Sequence, residues 1–251
     1  MIAPISEILI EQICAQRGER VLDIGCGGGI TSINLANLVA PMGSVLGVDV
    51  SEPILEVAKK RATNINNIEF ILNDAETAAL EPNNFDIVTS RFGVMFFENP
   101  VMAFRNLYIS LKPTGRLVFM CWRKLQENPS MNEPVKIVSD LLAQTNNIYD
   151  SEKMEPGPFA LSDPKYLTQL LEAAEFNNIK LQKIDENLPM GTLDQAVSYS
   201  MKMGPAAKLL QEAPYQITQQ TADEIRQAFQ KYTSNNSVNI PSATWIVSAT
   251  K

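Results

Sequence analysis

The chain contains no histidine. That absence excludes a Ser-His-Asp triad, a Cys-His nucleophile pair and any histidine-ligated metal site. Proton transfer is left to carboxylates, Tyr, Lys, Cys, water or the substrate itself. Cysteine is scarce: Cys14, Cys26 and Cys121 are odd in number and widely spaced. They form neither a zinc pattern nor a disulfide framework, which fits a reducing, cytoplasmic setting and no bound metal. There is no excess of basic residues. The net charge of −7 argues against nucleic acid as a partner. Long apolar runs are missing too, and no segment approaches the roughly 18 residues of a membrane span. The start, Met1-Ile2-Ala3-Pro4-Ile5-Ser6-Glu7, lacks the basic region and apolar run of a secretory signal.

What remains is the composition of an ordinary globular chain, 45% hydrophobic and 20% charged over 251 residues. That length suffices to bury a substantial core, and one elaborated domain over residues 1–251 is the expectation.

Strand and helix patterns alternate from about residue 20 to 122. Apolar runs predict strands at Val21–Ile24, Ser44–Asp49, Ile68–Leu72, Phe85–Ser90 and Arg116–Trp122. Helical spacing falls between them: Ile30, Ile33, Ala36 and Val39; then Ser51, a predicted N-cap, through Ala62; then Val101–Leu111 ahead of the turn Lys112-Pro113-Thr114-Gly115. Such alternation implies an α/β fold with a parallel sheet covered on both faces. Beyond residue 125 the rhythm breaks. A helix is predicted near Pro134–Ala143, another after Asp163-Pro164, and a strand at Ile179–Ile184. Capping boxes at Thr192/Gln195 and Thr221/Glu224 predict two further helices, and Ala243–Ala249 a last strand. Ser234-Asn235-Asn236-Ser237 reads as a loop.

The densest chemical signal is Val21-Leu22-Asp23-Ile24-Gly25-Cys26-Gly27-Gly28-Gly29-Ile30. A strand ends in an acid and enters a glycine-rich turn that opens a helix, an arrangement suited to a nucleotide-like ligand. Gly25-x-Gly27 begins a dinucleotide fingerprint, but Ile30 stands where its third glycine belongs. Asp49 closes the second strand, where a carboxylate can accept from ribose hydroxyls. Asp74 follows the third, where an acid can meet an adenine amino group. Cys26 reads as a small packing residue, since no basic group accompanies it in sequence.

Leu22 to Gly29 resembles motif I of the class I S-adenosylmethionine-dependent methyltransferases, in particular the small-molecule kind found in ubiquinone and menaquinone biosynthesis. Asp49 matches that family's ribose-binding acid and Asp74 its adenine-side acid. Phe85-Asp86-Ile87-Val88-Thr89-Ser90 resembles its fourth-strand motif, and Leu111-Lys112-Pro113-Thr114-Gly115-Arg116-Leu117 the loop before its fifth strand. Thr114 replaces a usual glycine, and Glu175 stands where a glycine often ends a later helix. The resemblance covers about residues 20–122. It implies a Rossmann-like, doubly wound, seven-stranded sheet of order 3-2-1-4-5-7-6, the last strand antiparallel, with a helical lid insertion. It also implies S-adenosylmethionine as cofactor and S-adenosylhomocysteine as product. Carried over, Gly25, Cys26 and Gly27 line the methionine part through backbone, and Asp23 faces its amino group. Asp49 holds the ribose, Val50 packs on adenine, and Asp74 with Ala75 meets the adenine edge. Arg91 and Phe92 flank the methionine moiety.

Segments 123–160 and 189–237 are the candidate lid. Met95, Phe96, Trp122, Phe159, Tyr199 and Met203 are candidate pocket residues for the acceptor, with Met154 among the apolar side chains nearby. No catalytic residue is assigned, because methyl transfer needs alignment more than a protein nucleophile. Glu98, Tyr199 and Tyr215 are candidates for a proton on the acceptor. The motif for methylating base amino groups is absent after strand four, where Arg91-Phe92-Gly93-Val94 stands. A small, apolar or aromatic acceptor is therefore expected. A nicotinamide-dependent oxidoreductase and a non-catalytic S-adenosylmethionine-binding protein are the alternatives.

Overall fold

A computed structural model describes residues 3–143, 156–211 and 213–251. Met154 and the 144–155 part of the first lid segment lie outside the described residues. The chain gathers into two compact units. The larger comprises Ile5–Trp122, Glu155–Ile184 and Thr244–Lys251; the smaller comprises Arg123–Met154 and Asp185–Ala243 with the first residues.

In the larger unit, helix α1 (Ala3–Ile13) precedes strand β1 (Arg20–Ile24). Ile5, Leu9 and Ile13 recur at four-residue spacing on one helix face, and all three are fully buried. The alternation expected from the sequence follows: α2 (Ile30–Val39), β2 (Ser44–Asp49), α3 (Glu52–Arg61), β3 (Ile68–Leu72), β4 (Phe85–Arg91), α4 (Pro100–Ser110) and β5 (Leu111–Trp122). Pairing jumps from Phe85–Leu111 to Ile87–Arg116, so Lys112–Gly115 is looped out of the ladder where the turn was expected. Ser51 stands at the start of α3 as predicted, but its side chain makes no capping bond.

The remaining elements are α5 (Pro129–Ala143), α6 (Pro164–Ala173), β6 (Asn177–Gly191), α7 (Leu193–Lys202), α8 (Pro205–Leu210), α9 (Tyr215–Phe229), β7 (Thr233–Ser234) and β8 (Ser237–Thr250). The sheet order is β3-β2-β1-β4-β5-β8-β6, and β8 runs antiparallel to β5. This is the expected Rossmann-like order. The one extra strand is short β7, which pairs with β8 across Asn235-Asn236, both at positive φ. That hairpin occupies the tract read as a loop.

Several boundaries differ from expectation. Helix α5 starts at Pro129, with Pro134 inside it. Strands β6 and β8 extend well beyond the apolar cores at 179–184 and 243–249. The capping box at Thr192/Gln195 is present with both reciprocal bonds, but that at Thr221/Glu224 is not. Thr221 sits inside α9, where its hydroxyl donates to the Ile217 carbonyl at 2.7 Å. The polar pattern that resembled a helix start is a buried back-bond within one longer helix.

The core of the larger unit joins Leu22, Val88, Phe104, Leu107 and Phe119 with Leu167, Leu171 and Val247. The smaller unit has its own cluster of Val197, Ile225, Phe229, Val238 and Ile240. No helix among the described residues is long and apolar enough to cross a membrane.

Candidate functional site

The carboxyl ends of β1, β2 and β4 surround a cavity of about 420 Å³ in the larger unit. Its walls bring together seven of the ten residues expected to hold the cofactor, Gly25, Asp49, Val50, Asp74, Ala75, Arg91 and Phe92, together with Phe96 of the expected acceptor pocket. Its position outside the strand ends of an open α/β sheet is the usual one for a ligand crevice.

Gly25 and Gly27 both take positive φ, +63° and +53°, which turns the chain sharply after β1. The Gly25 and Cys26 amides donate to the Val48 carbonyl, at 2.8 and 3.1 Å, locking the loop onto the end of β2. The Gly27 amide donates to Asp49 Oδ2 at 2.8 Å, and the Ser51 amide to Oδ1 at 2.9 Å. One carboxylate thus ties the glycine loop to the start of α3. Gly27 does not line the cavity, and neither does Cys26, whose side chain packs with Leu55, Ala58 and Phe70. Burial, with Asp23 and Asp49 nearby, pushes the Cys26 thiol far up. It is an inert packing residue, as read from the sequence.

Asp23 lies beneath the loop, essentially without solvent exposure. Its Oδ2 accepts from Ser32 Oγ at 2.5 Å, while Oδ1 has no hydrogen-bond partner among the described residues. Burial raises its carboxyl to about 6; the Ser32 hydroxyl and the Arg91 charge oppose the rise, and Asp49 adds to it.

Asp74 heads a turn after β3, with Oδ1 accepting from the Glu76 amide at 2.9 Å. The Ala75 side chain is buried next to it, whereas Val50 is exposed. Arg91 ends β4 half-buried and donates through Nη1 to Ser6 Oγ of α1 at 2.7 Å. Phe92 takes φ +65° and stacks on Trp122, with ring centroids 4.4 Å apart and planes 10° from parallel. Ser90 Oγ accepts from the Gly93 and Val94 amides at 3.1 and 3.2 Å, fixing the same turn.

The candidate acceptor residues divide. Phe96 is exposed at the cavity wall. Met95 is buried behind it, with Sδ accepting from the Trp122 amide at 3.5 Å and its carbonyl from the Gly157 amide at 3.1 Å. Phe159 is half-buried in the larger unit and is not part of that cavity wall. Tyr199 and Met203 belong to the smaller unit, where they line an open groove of about 730 Å³ with Pro189, Met190 and Lys202. Of the proton-transfer candidates, Glu98 lines the cofactor-side cavity, Tyr215 is exposed, and burial raises the Tyr199 hydroxyl, which weakens it as a base at neutral pH.

Sequence reasoning missed Glu76. It lines the cavity, and its two carboxylate oxygens accept from the Glu98 and Asn99 amides at 2.9 Å each. It also missed Gly93, whose role depends on an approach across strands. No group of three or more Cys, Asp or Glu side chains among the described residues is arranged to hold a metal ion.

A family model described as a methyltransferase domain matches residues 15–175. The chain belongs to that family. It is a methyltransferase of the class I, S-adenosylmethionine-dependent group that its motifs resemble, which sets aside the nicotinamide reading. Demethylmenaquinone methyltransferase from Staphylococcus haemolyticus is 32% identical over 174 residues, covering 66% of this chain and 71% of its own. A putative methyltransferase from Bacillus halodurans shares the fold, with a TM-score of 0.61 at 20% identity over 98% of each chain. So does phosphoethanolamine N-methyltransferase 2 of Haemonchus contortus, solved with S-adenosyl-L-methionine. It has a TM-score of 0.59 at 17% identity over 99% of this chain and 52% of that one.

Proposed function

We propose that this methyltransferase moves a methyl group in line onto a small, apolar or aromatic acceptor of the quinone-precursor kind. The observation that carries this reading is the two-natured cavity. Asp49, Asp74 and Arg91 supply charge at strand ends, while Val50, Phe92, Phe96 and Phe97 supply apolar wall. The relatedness to demethylmenaquinone methyltransferase supports the acceptor class.

The residues fit S-adenosylmethionine. The buried, unpartnered Oδ1 of Asp23 and the side-chain-free backbone at Gly25 suit the amino-acid end. The carboxylate of Asp49 suits the ribose. When bound, the cofactor supplies a sulfonium-activated methyl group. The chain does the rest. Gly25 lines the methionine part through backbone, Cys26 and Gly27 hold the loop behind it in place, and Asp23 balances the amino group. Asp49 accepts from the ribose hydroxyls, Val50 packs on adenine, and Asp74 with Ala75 meets the adenine edge. Phe92, clamped on Trp122, and Arg91 border the reacting end and exclude water. Alignment of donor and acceptor and removal of solvent supply the rate enhancement, without a protein nucleophile. The segments 123–160 and 189–237 are the candidates for acceptor binding, and the apolar groove at Met190, Tyr199 and Met203 supports the second of them.

Thermal-shift and transfer assays test this. A ligand at 100 times its Kd stabilises its protein by about 2.7 kcal/mol. S-adenosylmethionine and S-adenosylhomocysteine are expected to do so and NAD(H) not. Methyl transfer is expected to a demethylated naphthoquinol and not to single-stranded DNA. Binding without transfer to any aromatic acceptor would overturn the proposed acceptor class.

A further inference from the structure

Arg91 is half-buried in the cavity wall. Among the described residues its guanidinium makes one hydrogen bond, to Ser6, and has no carboxylate at ion-pair distance. The nearest acids do not satisfy it: Asp23 interacts only through its field, and its own ionisation is disfavoured by burial. A partly desolvated cation that offers most of its donors to the cavity is a ready partner for an anion entering there. The chain nonetheless holds it firmly. Ser6 is itself buried, on the helix turn that Ile5 and Leu9 anchor in the core. On the other side, Ser90 and the stacked Phe92 fix the backbone that follows.

We propose that Arg91, held in place by Ser6 of α1, is an oxyanion-recognition group of the cavity, completed by a carboxylate or enolate-type oxygen that a ligand brings. Resting on the methyltransferase reading above, two sources offer that chemistry: the carboxylate of the cofactor and an ionised oxygen of the acceptor. Ser6 is the positioning residue, since it keeps the planar donor fork at one orientation. Helix α1 thereby contributes to ligand recognition without lining the cavity.

Calorimetric titration with S-adenosylhomocysteine and with 5′-methylthioadenosine, which lacks the carboxylate, separates the sources. A charge-assisted hydrogen bond to an ionised group is worth enough to change affinity by about ten- to a hundredfold. If the cofactor is the source, Arg91→Met loses that factor for S-adenosylhomocysteine and stays within about twofold for methylthioadenosine. If the acceptor is the source, both affinities hold, while the acceptor KM rises at least about tenfold and the pH for half-maximal rate moves up. Ser6→Ala should reproduce a severalfold part of the same effect, and Ser6→Thr should restore it. Arg91→Lys, which keeps the charge, guards against misfolding of the Met variant and should fall between the two. Equal weakening of both nucleosides, or no change in either affinity or in the acceptor kinetics, overturns the proposal. Wild-type protein that binds neither nucleoside overturns the methyltransferase reading of the cavity, and the role of Arg91 with it.

Discussion

Gly25 and Gly93 meet backbone to backbone. A Cβ placed on Gly25 would lie 2.7 Å from Gly93 Cα, and one placed on Gly93 would lie 2.7 Å from the Ile24 carbonyl oxygen and 2.9 Å from Gly25 Cα. The turns after β1 and β4 thus touch without side chains between them, which draws the two walls of the cavity together. Gly25 carries a second constraint, its φ of +63°, whereas Gly93 has an ordinary φ of −85°. Gly93→Ala is therefore the cleaner test, being purely steric. Overpacking of this kind costs about 1–3 kcal/mol. Urea unfolding should register that loss, and calorimetry a weaker binding of S-adenosylhomocysteine as the walls part. Wild-type stability in Gly93→Ala would mean the two turns separate freely.

Asp49 binds the Gly27 and Ser51 amides with its two oxygens. Its removal leaves two loop donors without their partner and, on the proposed assignment, removes the ribose acceptor. Asp49→Ala should weaken S-adenosylhomocysteine at least about tenfold, which is 1.4 kcal/mol, with a smaller loss of folding stability. Unchanged affinity would place the ribose elsewhere.

Asp23 gives the protein a specific pH dependence. Its folded carboxyl sits at about 6, raised from an ordinary 3.8 mainly through burial. The folded state therefore holds this proton more tightly than the unfolded chain does. The stabilising contribution is complete below about 3.8 and is lost as pH rises through about 6. Asp23→Asn keeps an acceptor for Ser32 and cannot ionise. Its stability relative to wild type should rise between pH 4 and 7 by an amount on the order of 2–3 kcal/mol. Glu19 and Asp86, whose carboxyls are lowered, change stability in the opposite sense, but they are common to both proteins and cancel in the difference. Parallel urea curves at several pH values measure it; a difference independent of pH would refute the assignment.

The legible half of the molecule is the half where neighbours in sequence decide the structure. Strands β1 to β5 are short apolar runs closed by Asp23, Asp49, Asp74 or a turn, and each acid falls at the strand end where the ligand crevice forms. Arg91, Phe92 and Phe96 are legible for the same reason, since they end β4 or follow it closely. Residues whose partners lie far off in sequence are not. Glu76 reads as an ordinary loop acid until its amide partners, 22 and 23 residues on, are in view. Ser6 contacts Arg91 across 85 residues. Thr221 misled because a local polar pattern looks the same at a helix start and at a buried helix interior. Tyr199 and Met203 line a groove in the smaller unit.

Glu76 provides a test that does not depend on turnover. Its Oε2 and Oε1 accept from the Glu98 and Asn99 amides, so one carboxylate latches the loop that leads from Phe96 and Phe97 into α4. Asn99 also caps that helix through its side chain, accepting from the Met102 amide at 3.2 Å. Releasing the latch should loosen the loop and the first turn of α4 together. Hydrogen exchange at the Glu98 and Asn99 amides should quicken at least about tenfold in Glu76→Ala, the equivalent of one hydrogen bond to a charged acceptor. Glu76→Gln retains only one acceptor oxygen, and its amide group would face the second N–H donor. Exchange should therefore quicken at one of the two positions more than at the other. Amides that exchange at the wild-type rate in both variants would show that the loop is held by its apolar wall, Phe97 against Phe104 at 5.7 Å between ring centroids, and not by the carboxylate.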